Sequence, residues 1–313
     1  MAMEKDFSFK GSGSGMDPEI TSLGNGQLGL VYETEEFPQD LGGNVFTVTN
    51  EGASANGGFT IRGKDVGPFG DFGDNSLFSP TISQVSEDTF AVTTAVFRQD
   101  DEPRSVVKTQ LFSNNGSGVS SISDKIQIAG GESQEILVET VGFFPIFEET
   151  GPIRAFGPKT ARVGDDKFVA VWQEEFDDLS DEFTGGGALF DSSGNKIRNI
   201  AVDNVEDPTA SRINSDYFVA GDEFSGHVFN ANGSRVSDQH VNFGGSDTAV
   251  TNFGDGRIVR VTDGSGNFTA EVVSVDPSGS TQVLGSFTLQ RGDDDIPGQP
   301  TIAHLGDNRL PVA

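Results

Sequence analysis

The apolar and polar positions of this chain fall into one recurring pattern: a proline, a short alternating stretch, a tight polar turn, then a run of β-forming residues. It opens at Pro18, Pro80, Pro158, Pro208, Thr248 and Pro300, and each first stretch closes on an apolar residue: Leu23, Val85, Val163, Ile213, Phe253 and Leu305. Alternation at a period of two marks a strand with two differently packed faces. The turns Gly24-Asn25-Gly26, Gly164-Asp165-Asp166 and Gly254-Asp255-Gly256 supply the positive-φ positions that a short hairpin needs. The runs that follow, such as Phe168 to Trp172, Tyr217 to Ala220 and Arg257 to Val261, are rich in residues that favour a pleated, half-buried surface.

A second hairpin signature, Asp or Asn followed three residues later by Gly, trails the first. It is read at Phe112 to Gly116, Phe190 to Gly194, Phe229 to Gly233 and Val275 to Gly279, and more weakly at Val48 to Gly52. Two hairpins make four strands, which is one propeller blade. The closing apolar residues lie 62, 78, 50, 40 and 52 positions apart, near blade spacing once insertions are allowed. The predicted fold is therefore all-β, a β-propeller with four-stranded blades, five to six in number, over residues 17–313. The alternative is a pair of tandem β-sandwich domains, which also show short strands and frequent turns. The sixth copy holds two strands of its blade, so strands near the N-terminus are expected to complete the ring, or the array continues.

The long second interval places an insert at residues 129–156, read as an extra hairpin in preference to a patch for a partner. Residues 1–16, with Gly11-Ser12-Gly13-Ser14-Gly15 before Met16, read as an added leader and linker. Their alternative is a short strand over Asp6 to Lys10.

Composition narrows the chemistry. A formal charge of -28 creates a field that repels nucleic acid phosphates and anionic membranes. The absence of cysteine excludes disulfides, a thiol nucleophile and Cys-type metal centres. No apolar run is long enough for a membrane-spanning helix, and the first residues lack a secretory hydrophobic core.

The third copy, Pro158 to Trp172 followed by Gly187-Ala188-Leu189-Phe190-Asp191-Ser192-Ser193-Gly194-Asn195-Lys196, resembles propeller-like repeats of very large secreted or surface proteins of Gram-negative bacteria that leave by type I secretion. That resemblance implies an extracellular or cell-surface location. It also implies a non-catalytic structural or adhesive role. The rim loops of such a ring are expected to bind a protein or glycan, and the open strand edge of the unfinished sixth blade is expected to accept a strand from another copy of the chain.

In a four-stranded blade, the loops joining strands two and three emerge on the same rim as those leading into the next blade. Here both kinds are acidic, and clustered carboxylates favour a hard divalent cation. Calcium is the expected ion. Its candidate ligands are Glu174, Glu175, Asp177, Asp178 and Asp181, with Asp293, Asp294 and Asp295 as a second group. Neither spacing matches a known calcium loop, and a solvated acidic surface is the competing reading.

An enzyme is the weaker expectation, with no catalytic residue assigned. A glycosidase needs paired carboxylates, which are abundant, and usually aromatic platforms. Only Trp172, Tyr32 and Tyr217 offer such rings besides phenylalanine, all at strand positions that suit a core. His227, His240 and His304 read as isolated residues of separate blades, no hydrolase or phosphate-loop motif is present, and Gly185-Gly186-Gly187 reads as a flexible loop. A glycosidase or a lectin-like sugar-binding module remains the alternative function.

Overall fold

A computed structural model of the chain describes residues 15–34, 39–49, 52–63, 75–98, 104–115, 118–130, 135–141, 144–149, 154–175, 184–203, 205–245, 248–263, 267–290, 300–305 and 310. Each repeat folds into the antiparallel meander that its two turns dictate. Blade 1 consists of β1 (Gly15–Gly24), β2 (Gln27–Thr34), β3 (Leu41–Thr49) and β4 (Gly52–Ile61). Blade 2 consists of β5 (Asn75–Ser86), β6 (Thr89–Arg98), β7 (Arg104–Asn114) and β8 (Val119–Ser121), with β9 (Ile126–Ala129) pairing further along β7. The hairpin β10 (Glu135–Val141) and β11 (Phe144–Glu149) forms its own small sheet within the insert.

Blade 3 holds β12 (Arg154–Val163), β13 (Lys167–Glu175), β14 (Thr184–Asp191) and β15 (Lys196–Asn199). Blade 4 holds β16 (Thr209–Arg212), β17 (Tyr217–Gly221), β18 (Ser225–Asn230) and β19 (Arg235–Asn242). Blade 5 holds β20 (Thr248–Gly254), β21 (Arg257–Asp263), β22 (Asn267–Val275) and β23 (Thr281–Gln290). The five blades form a five-bladed β-propeller. The sandwich alternative is not what forms, because the cores lie between successive blades. No helix among the described residues is long and apolar enough to cross a membrane.

Why these residues make blades is visible at the middle strands. Phe90 faces Phe112, Phe168 faces Phe190 and Phe218 faces Phe229 in the strand register. These rings stack at 5.3, 5.1 and 5.3 Å with interplanar angles of 11°, 16° and 13°. Cross-strand aromatic pairs stabilise a sheet beyond the area they bury. The second turns form as the Asp/Asn-x-x-Gly pattern requires. The Asp191, Asn230 and Asp276 side chains accept backbone N–H groups two residues on. Gly194, Gly233 and Gly279 take φ of 83°, 75° and 89°.

Blade-to-blade packing follows a fixed rule. The closing apolar residue of each inner strand packs into the next blade: Leu23 with Ile82 and Phe90, Val85 with Phe168, Val163 with Phe218, Ile213 with Ile258. The sixth copy obeys the same rule without making a blade. Ile302 joins the core of Phe253, Val259 and Val261 in blade 5, while Ala303 and Leu305 join Ile20, Leu28 and Val48 in blade 1. Buried Thr301 accepts the Ile20 backbone N–H at 3.1 Å. Among the described residues, a sixth inner segment thus closes the ring between blades 5 and 1, and β1 is the inner strand of its own blade.

The Gly185-Gly186-Gly187 run is strand, not flexible loop. The Trp172 indole lies over Gly186, where a Cβ would fall inside the ring's van der Waals radius.

Thr301→Val keeps the shape of the closing segment and removes the acceptor of a buried N–H, so it is expected to cost about 1–3 kcal/mol in urea unfolding. An unchanged midpoint would mean that closure does not run through this bond.

Candidate active site at the axial cavity

The six inner segments surround one cavity of about 410 Å³, within the size range of small-molecule sites. Because strand residues alternate, each inner segment sends equivalent positions to equivalent places. The residue before the closing apolar one is Ser22, Gln84, Arg162, Arg212, Asn252 or His304, and all six line the same end. There Gln84, Arg162, Asn252 and His304 reach back toward the preceding repeat, while Ser22 and Arg212 bond within their own turns. Gln84 donates to the Leu23 carbonyl at 2.7 Å, Arg162 Nη1 to Gln84 Oε1 at 2.8 Å, and Asn252 to the Arg212 carbonyl at 2.8 Å. The His304 ring sits 4.6 Å from that of Phe253. Burial, then the neighbouring Arg162 charge, pulls the Arg212 guanidinium below its usual range, with Asp165 opposing.

The other end, where inner strands begin, is acidic. Glu19 on β1 pairs with Lys159 on β12 at 2.9 Å, joining blades 1 and 3 across the cavity. Asp207, before Pro208, and Glu223, buried in the β17–β18 connection, line the same end. Glu33 lies on β2 at this end of blade 1, only 3% exposed, and accepts the Ser79 N–H of blade 2 at 2.7 Å. Burial pushes its carboxyl up to about 7; the Ser79 bond opposes the rise and the Asp17 charge adds to it. A carboxyl held near neutral can act as a proton donor.

Of the sequence-predicted calcium ligands, Glu174 accepts the Trp172 Nε1–H at 2.7 Å, and Glu175 lies 3.8 Å from Arg154 Nη1. As neighbours on β13 they point to opposite faces. Asp177, Asp178, Asp181, Asp293, Asp294 and Asp295 lie outside the described residues. Trp172 and Tyr217 take the core-facing roles their positions suggest, and Tyr32 packs against the blade 1 core. Among the described residues, the only aromatic ring lining the cavity is the His304 imidazole.

The histidines depart from expectation. His227 and His240 share blade 4, and His227 is buried against Asp203. Glu33 was visible in the sequence only as one acidic rim residue among many, because its burial depends on Ser79, 46 positions away.

No protein-family profile and no curated protein matches the chain in sequence. Solved structures do match. NanB sialidase from Streptococcus pneumoniae superposes with a TM-score of 0.50 over 98% of this chain and 66% of its own, at 10% identity. An α-L-arabinanase from Penicillium chrysogenum, complexed with arabinobiose, gives a TM-score of 0.43 at 11% identity, covering 88% of this chain and 76% of that one. At such identity the likeness is one of fold.

The sialidase match nevertheless corrects the sequence-based expectation of a non-catalytic adhesion module that is not an enzyme. A solved structure that superposes on nearly the whole chain is a sialidase. The physical reason for the error is that an axial propeller site is assembled from single residues of distant strands. The absence of a local catalytic motif was no evidence against catalysis.

Glu33 holds its proton more tightly in the folded state than at its ordinary value of 4.5, so its contribution to stability is full below pH 4.5 and is lost as pH rises through about 7. Glu33→Gln removes that dependence. In urea unfolding, the variant is expected to gain on the parent by roughly 3 kcal/mol between pH 4.5 and 8. A stability difference that stays constant over this range would contradict the assignment.

Proposed function

We propose that this propeller is a glycan-processing enzyme acting at the acidic mouth of its axial cavity. The observation that carries the reading is the gathering of Glu19, Asp207 and Glu223 at one end of a 410 Å³ cavity. Glycoside hydrolysis needs one carboxylic acid to protonate the leaving oxygen and one carboxylate to activate water or attack the sugar. Asp207 and Glu223 are the carboxyls that line this end and divide the two roles between them, with Glu19 held by Lys159. The superposition on NanB sialidase supports the reading. The guanidinium groups of Arg162 and Arg212 make the far end cationic, which suits a substrate carrying an anionic group there.

The test is a panel of neutral and acidic polysaccharides and chromogenic aryl glycosides, read by release of reducing ends or phenol. At least one substrate is expected to be cleaved. Asp207→Asn and Glu223→Gln are each expected to lower kcat roughly 100-fold or more. Glycan binding without any product would replace the hydrolytic reading with a lectin-like one, and neither binding nor cleavage would overturn both.

A further inference from the structure

Three side chains on the rim of blade 4 meet with a ligand set that the axial site does not use. His227 on β18 and His240 on β19 stand directly opposite in the antiparallel register, with ring centroids 4.0 Å apart. Asp203, in the connection from β15 to β16, brings Oδ2 to 2.6 Å from His227 Nε2. Each of the three offers a ligand atom within 4.8 Å of the others, the one group of three His, Asp or Glu residues among the described residues that does so.

We propose that Asp203, His227 and His240 form a binding site for a divalent transition-metal ion, with zinc the best match to the ligand chemistry. Two imidazoles and one carboxylate are borderline nitrogen and hard oxygen donors, a set that suits zinc and its first-row neighbours and does not suit calcium, which takes six to eight oxygens. The second observation is His227 itself. Its side chain is 3% exposed, and its Nδ1 is buried with no hydrogen-bond partner. No group other than Asp203 therefore fixes its tautomer, and Asp203 is itself a ligand, so an ion can take the place of the proton the two share.

Arg235 Nη1, 3.5 Å from Asp203 Oδ1, holds the opposite oxygen and leaves Oδ2 turned to the histidine. Three protein ligands leave at least one coordination position open, on the same rim as Asp207. The inference does not depend on the glycan reading.

The experiment is titration of the full chain with Zn2+ by calorimetry in millimolar Ca2+ and Mg2+, which occupy the acidic surface, repeated with Co2+ for its visible absorption bands. The expected result is one equivalent of Zn2+, a Tm that rises with Zn2+, and Co2+ bands of nitrogen–oxygen ligation. Exposed His240→Ala and Asp203→Asn should each weaken binding roughly tenfold or more, with His304→Ala leaving it unchanged. Absence of stoichiometric Zn2+ binding, equal competition by Ca2+, or the same affinity in the His240→Ala and Asp203→Asn variants would overturn the proposal.

Discussion

Everything in this molecule depends on the covering of inner strands. A four-stranded blade has two apolar faces, and each must be buried against a neighbour. The closing residues Leu23, Val85, Val163 and Ile213 each hand one face to the next blade, which leaves two faces to satisfy at the ends of the series. The segment Thr301 to Leu305 satisfies both, by sending Ile302 to blade 5 and Ala303 with Leu305 to blade 1. It is a narrow wedge in place of a blade. It works because the apolar positions of an inner strand alternate, so one extended segment can present a side chain to each flank.

That constraint also builds the site. Positions equivalent in the six repeats are forced to equivalent heights around the axis, so the residue before each closing apolar one always reaches the same end of the cavity. Substituting polar residues there costs the fold little, since the channel side of an inner strand is not part of a blade core. The chain has used that freedom to set two arginines at one end and carboxylates at the other. Glu33 shows what burial does to such a group: with only one backbone N–H to receive and Asp17 nearby, its carboxyl stays protonated into the neutral range.

The silence of short motifs about a site in this ring follows from the same geometry. Short motifs announce sites in which one loop carries the chemistry. Here Glu19, Asp207 and Glu223 stand in different repeats, and the sequence spreads them over about two hundred positions among many other acidic residues. The His227–His240 pair was hidden similarly: thirteen residues apart, they meet only because the β18–β19 register sets them opposite.

Local signals along the chain set the elements. Proline-opened alternating strands, positive-φ turns and the Asp/Asn-x-x-Gly hairpins are local signals, each readable from a handful of neighbouring residues, and they specified four-stranded blades and the approximate blade count. Even the phenylalanine pairs are implicit in strand two facing strand three across a turn of known length. How the ring closes, which carboxyl is buried and which histidines meet were settled by packing between distant segments. Those outcomes depend on contacts such as Thr301 with Ile20 and Glu33 with Ser79, whose partners are set by packing between blades and leave no periodic trace along the chain.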